Sequence, residues 1–300
     1  MKFVTAEENG RQFIGVVGNK GEGVLDIARA EEQRFGKAES PATLLECIEL
    51  GEEWIERVQE TFTWSEREGK TCFRPVNSIT LAAPIPRPFK NIMCVGKNYA
   101  QHAIEMGSEK DIPEHIMIFT KSPTSVMRPD GEIPIHSEVT EELDYEGELA
   151  VIIGKKGKGI SKEDALSHVF GYTIINDVTA RDLQRRHKQF FIGKSLDGTC
   201  PMGPWIVHAS KIEKPNSLNI QTRVNGEVRQ NGNTEQFIFS VEEIIATLSK
   251  GMTLEPGDII ATGTPAGVGK GFKPPKFLKL GDTIEITIEK IGTLTNTVGE

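Results

Sequence analysis

Over residues 143–148 apolar and acidic side chains alternate, and over residues 149–153 the chain runs apolar without a break. Side chains alternate faces along a strand, so this stretch predicts a strand with Asp144, Glu146 and Glu148 on one face and Leu143, Tyr145, Leu149 and Val151 on the other. Residues 3–4, 12–17 and 23–27 predict short strands divided by Asn/Gly/Lys turns, and a helical pattern spans residues 41 to about 62, where Leu44, Leu45, Ile48, Trp54, Ile55 and Val58 form apolar stripes. Later strands are expected at residues 171–176, 259–262 and 283–288, the last two each preceded by a Gly-Asp turn. Residues 221–224 and 227–230 flank Asn225-Gly226, a pair suited to the two positive φ angles of a type I′ hairpin. Ser240 with Glu243 opens a helix that Gly251 should close; Thr179 and Asp182 open another, running to Phe190, and Asn98 caps a third that Gly107 ends.

These elements divide the chain into two parts. Residues 1–83 read as a small α+β accessory domain, and residues 84–300 as a mainly β catalytic domain. Between them the alternating prolines Pro84, Pro86 and Pro88 give an extended, semi-rigid connector. The expected class is α+β, mainly β. Three hundred residues, 37% hydrophobic and 26% charged, suit a globular chain with a substantial core. No apolar run approaches bilayer length and the first residues lack a secretory h-region, so a soluble, cytoplasmic protein is expected. Cys47, Cys72, Cys94 and Cys200 are scattered without a C-x-x-C pair, which argues for buried thiols rather than a zinc ribbon or disulfide scaffold. A net charge of -8 opposes non-specific binding to nucleic acid or to an anionic membrane, and an anionic substrate would need locally placed cations.

Three like charges on neighbouring positions repel in a partly buried site, and a hard divalent ion is the usual way to hold them together. An isolated acidic alternation is equally what a wet sheet face displays, so both readings stand. Asp177, at the end of the apolar run 171–176, can complete a set of three carboxylates with Glu146 and Glu148. Oxygen-only ligands suit Mg²⁺ or Mn²⁺; zinc fits poorly without Cys or His. On the helix begun by Asn98, His102 and Glu105 lie at i and i+3, either a surface pair or a carboxylate-oriented general base. Phosphate loops fail: Gly193-Lys194-Ser195 has Lys188 where a P-loop needs glycine, and Gly267-Val268-Gly269-Lys270-Gly271 lacks both the earlier glycine and the final hydroxyl. No glycine-rich dinucleotide fingerprint lies between a strand and a helix.

Taken together, five blocks in order resemble the fumarylacetoacetate hydrolase (FAH) family: residues 96–106, 144–149, 176–182, 193–195 and 262–269. The resemblance runs from about Pro88 to the C-terminus. It implies an FAH-type mixed β-sandwich roll, generally a homodimer, with Mg²⁺ or Mn²⁺ on Glu146, Glu148 and Asp177. Asp144 falls outside that ligand set and would balance charge. The substrate class implied is a small anionic 2-oxo acid containing pyruvate. Lys194 would add positive charge at the reacting centre, His102 and Glu105 would form the catalytic base, and Arg181, Gln184, Thr264 and Lys121 would bind substrate. The small N-terminal domain and the segments 96–99 and 187–194 are similar to the oxaloacetate decarboxylase branch. Decarboxylation of oxaloacetate to pyruvate is therefore the first expectation. Acylpyruvate hydrolysis by a His102/Glu105-activated water comes next, then oxaloacetate keto-enol tautomerisation. An interaction module on the same fold, docking through residues 1–83, is the alternative of another class.

Overall fold

The computed structural model describes residues 1–19 and 23–300, so part of the turn expected between the strands at 12–17 and 23–27 lies outside the described residues. A long mixed sheet runs through the molecule in the order Phe73–Arg74, Val24–Asp26, Arg11–Val17, Lys2–Glu8, Cys200–His208, Val169–Asn176, Gly147–Ile153, Ile259–Ala261, Ile92–Gly96 and Met117–Lys121. A second sheet of five strands is ordered Glu227–Asn233, Asn219–Val224, Thr283–Ile288, Gly292–Gly299 and Glu132–Pro134. Neighbours are mostly antiparallel, with parallel pairs at Ile259–Ala261/Ile92–Gly96 and Gly292–Gly299/Glu132–Pro134. The class is α+β, mainly β, as the sequence predicts.

The central strand Gly147–Ile153 shows why its sequence turns continuously apolar. Leu149, Val151 and Ile153 join a core with Ile220, Ile284 and Ile286 of the second sheet. Ala150 and Ile152 face the opposite way, into a core shared with Phe3, Ile48 and Trp54. A strand covered on both faces has no wet side to alternate with. That second core contains the helices Ile27–Phe35, Leu44–Glu49 and Glu52–Ser65. Residues 1–83 therefore meet the rest of the chain through a common hydrophobic cluster, and through main-chain pairing of Lys2 with Val207 and Phe3 with Ile206.

Several local expectations change. The helical pattern over residues 41–62 is split into two helices by Gly51, which has φ 65° and no helical continuation. A further helix, Ile27–Phe35, begins where the strand was expected to end. Asp26 caps it by accepting the N–H of Arg29, a contact worth about 1 kcal/mol, and Gly36 closes it at φ 80°. Asn98 is no helix cap: its buried amide bonds Phe239 N and O and the carbonyl of Thr262 instead. Thr179 likewise donates its hydroxyl to Asp177 O, and the expected single helix becomes Arg181–His187 and Phe191–Lys194, interrupted by Lys188 at φ 60°. The hairpin at Asn225-Gly226 has the expected positive φ angles, 52° and 78°.

Candidate active site

The expected carboxylate strand is interrupted at its acidic half. Leu143 and Asp144 pair with Ala180 and Thr179, whereas pairing with the central sheet resumes only at Gly147, opposite Asn176. Glu146 lies in the break, anchored by its N–H to Asn176 Oδ1 at 3.0 Å and by its carbonyl accepting the Asp177 N–H at 2.8 Å. The break separates Asp144 from the other two acids. Its carboxylate accepts the backbone N–H groups of Tyr145, Gly269 and Lys270 and the Nε of Arg181, so it ties the strand to the loop around residue 269.

Glu146, Glu148 and Asp177 remain together, each offering a carboxylate oxygen within 4.8 Å of the others, and all three are buried. Cations surround them unevenly. Lys194 Nζ bridges Glu146 Oε2 at 2.6 Å and Asp177 Oδ2 at 2.7 Å. Arg181 reaches Glu146 Oε1 at 2.7 Å, and Lys121 Nζ lies 2.9 Å from Asp177 Oδ1. Burial opposes ionisation of Glu146, but Lys194 and Arg181 outweigh it and hold the carboxyl well below its ordinary range. Burial opposes the charge of Lys194 too, yet Asp177 and Glu146 keep the ammonium protonated above its usual value. Glu148 is treated differently. It accepts only the Gly263 N–H, at 2.7 Å, and burial together with Asp177 and Glu146 pushes its carboxyl well above the usual range.

This donor set fits a hard divalent cation. It is made of carboxylate oxygens on three buried residues, and the crowding at Glu148, which accepts a single N–H, is what a cation would relieve. Counting Asp144, four buried carboxylates stand against the three cations Lys121, Arg181 and Lys194, leaving the cluster short of positive charge.

A cleft of about 210 Å³ opens beside the cluster, with His102, Glu146, Glu148, Arg181, Gln184 and Lys194 in its wall. His102 Nδ1 lies 2.8 Å from Glu105 Oε1, and the Glu105 carboxylate also accepts the Gly267 N–H at 2.9 Å. Imidazole, carboxylate and loop backbone thus form one chain, with His102 at its cleft end. Thr264 also borders the cleft, but its hydroxyl is engaged, accepting from Gln230 Nε2 at 2.7 Å and donating to Gly147 O at 2.9 Å. Gln184 accepts from Arg181 Nη1 at 3.4 Å. Lys121 is fully buried behind Asp177, donates to Val178 O at 3.0 Å and does not border the cleft. It positions a carboxylate, where the sequence suggested a substrate contact. Gln230, Asn98 and Lys270 were not singled out for the site; Gln230 had no signal beyond its place in an ordinary hairpin strand.

The chain belongs to the fumarylacetoacetate hydrolase family. Residues 91–299 match the family model for the fumarylacetoacetate (FAA) hydrolase C-terminal region. Over its full length and theirs, the chain is 57% identical to the protein named oxaloacetate tautomerase YisK of Bacillus subtilis. Among solved structures it resembles a fumarylacetoacetate hydrolase from Exiguobacterium antarcticum, with TM-score 0.84, 44% identity and coverage of 100% of this chain and 99% of that one. It also resembles a maleylpyruvate hydrolase from Sphingobium, with TM-score 0.76, 27% identity and coverage of 100% and 99%. The protein is an enzyme of this family with a buried acidic triad of the kind that takes a divalent metal ion. No helix among the described residues is long and apolar enough to cross a membrane.

Proposed function

We propose that the protein interconverts the keto and enol forms of oxaloacetate with a divalent ion, Mg²⁺ or Mn²⁺, held by Glu146, Glu148 and Asp177. The observation that carries this is the His102–Glu105 pair at the cleft wall. Tautomerisation requires a base that takes a proton from carbon and gives one to oxygen, and the pair is built for that exchange. The full-length relative named an oxaloacetate tautomerase supports the same chemistry and moves it ahead of decarboxylation, the first expectation from sequence.

The bound cation would supply Lewis-acid polarisation of the 2-oxo group, lowering the cost of removing a neighbouring C–H proton. With Nδ1–H donated to Glu105, His102 keeps its lone pair at Nε2. That nitrogen takes a proton from C3, the C3–H electron pair becomes the C2–C3 double bond, and the proton is returned to the 2-oxygen to give the enol. Glu105, held by the Gly267 N–H, stabilises the imidazolium formed between the two transfers. Lys194 and Arg181 place positive charge beside the developing negative charge.

Decarboxylation of oxaloacetate is the second reading, favoured by Lys194 and Arg181, because it needs the same electron sink and no base. Acylpyruvate hydrolysis would instead use His102 to activate water. His102→Ala separates these. Measured on metal-loaded protein by enol absorbance, tautomerisation should fall roughly 10²- to 10⁴-fold, the usual worth of a general base. Pyruvate release from oxaloacetate should survive in part. Unchanged tautomerisation in His102→Ala, or none in the wild type, overturns the proposal; release of pyruvate from acetylpyruvate would favour hydrolysis.

A further inference from the structure

The segment Gly267-Val268-Gly269-Lys270-Gly271, which fails as a phosphate loop, forms part of the cleft wall. Gly269–Gly271 is a single 3-10 turn with Lys270 at its centre. Gly269 is required by close contacts, the Lys276 carbonyl among them, and Gly271 packs against the Glu105 side chain. A Cβ on Gly269 would lie 2.7 Å from Asp144 Oδ1, and one on Gly271 2.4 Å from Glu105 Oε2. The turn is therefore gripped on one side by the acid that pairs with Arg181 and on the other by the acid that orients His102. Asp144 also accepts the Lys270 N–H at 3.1 Å. The backbone of Lys270 is thus fixed to Asp144, and the residue borders the cleft.

The other mouth cations are engaged. Lys97 pairs with Asp111 at 3.1 Å, and Arg185 holds Glu142 through both of its terminal nitrogens, one of them at 2.7 Å. Lys270 has no ion-pair partner among the described residues. Burial and the neighbouring Arg181 and Arg185 lower its ammonium pKa, against the weaker pull of Glu142 and Asp144. A half-buried cation held beside Arg181 and Arg185 at the cleft wall favours an anionic group on the ligand.

We propose that Lys270 reads the distal carboxylate of the substrate, making this a site for four-carbon dicarboxylates rather than for 2-oxo acids in general. The assignment rests on the reading of the cleft as an oxaloacetate site. Its test uses ligands inert in every reaction considered above. Malate and 2-hydroxybutanoate share the 2-hydroxy acid end and differ at C4, which is a carboxylate in one and a methyl in the other. Titrated calorimetrically into the Mg²⁺-loaded protein, malate should bind more tightly. Lys270→Gln should weaken malate roughly 10- to 100-fold, as expected for a lost hydrogen bond to a charged group, and leave 2-hydroxybutanoate unchanged. Lys270→Arg should recover part of the preference, and Lys97→Gln should preserve it. Equal binding of the two acids by the wild type, an equal loss of both in Lys270→Gln, or a preference that vanishes in Lys97→Gln instead, would each overturn the assignment. A preference for malate in a protein that does not turn over oxaloacetate would leave the Lys270 assignment standing and remove the proposed reaction.

Discussion

Two buried glutamates in this molecule are housed in opposite ways. Glu31, in the helix Ile27–Phe35, is fully enclosed yet saturated: it accepts the N–H groups of Glu39 and Ser40 and the Ser40 hydroxyl, and pairs with Arg57 at 3.2 Å. Glu148 is almost as enclosed, accepts one N–H, and faces two other carboxylates. A buried charge whose oxygens are filled by fixed donors is a structural element. One left among like charges has surroundings that a bound cation would relieve. Burial alone does not distinguish these cases; the identity of the nearest neighbours does.

The largest test of that contrast is Glu146→Ala. Loss of a triad oxygen should abolish measurable Mn²⁺ binding by calorimetry and lower turnover roughly 10³-fold or more, several kcal/mol of charge stabilisation being removed. Activity indifferent to this change, or to a chelator, would end the metal-site assignment. Glu31→Ala should do the reverse, costing about 3 kcal/mol in urea unfolding because Arg57 and two amides lose their partner, while turnover per folded molecule persists. Between the two lies a difference in sign. In metal-free protein Glu148→Gln should raise the melting temperature by a few degrees, worth about 1 kcal/mol, since it relieves repulsion from Glu146 and Asp177. Glu31→Gln should lower it. If both fall, Glu148 is better satisfied than its surroundings indicate. The smallest effect concerns the four cysteines, all buried; burial pushes Cys47 and Cys200 up to about 12. At neutral pH a thiol reagent should label none of them quickly in the native state. Faster labelling of Cys94 or Cys200, behind the site, than of Cys47 would mean that the catalytic region opens more readily than the N-terminal one.

Much of the site was legible because its residues lie in short motifs with local periodicity. Glu146 and Glu148 are two apart in a strand-like alternation, and His102 and Glu105 are one turn apart on a helix. Asp177 stands at the end of the apolar run 171–176, and the ordered family blocks then brought in Lys194. What the sequence hid was long-range. Asp144 shares the alternation of its neighbours, but its direction depends on pairing with Thr179 and on amides more than a hundred residues later. Lys121 looked like one more basic residue near the site, and only the packing of its strand beneath Asp177 makes it a support. Gln230 fastens the Thr264 loop to Gly147 from a hairpin strand whose pattern predicts nothing beyond pairing. The boundary near residue 83 was read from a proline-rich connector, while the pairing of Lys2–Glu8 with Cys200–His208 leaves no local trace in either segment.

That pairing has a consequence for how the chain is made. The strand Lys2–Glu8 lies inside the long sheet, between Arg11–Val17 and a partner about 200 residues further along. At roughly 5–20 residues per second, that partner arrives some 10–40 s later. The Ala6–Glu7 end of that edge pairs earlier, with Leu81 and Thr80, but throughout the interval the Lys2–Phe3 end stays open, a template for the wrong neighbour. For this molecule, the pace of translation and the company kept by the nascent chain bear on yield as directly as the strength of the finished core.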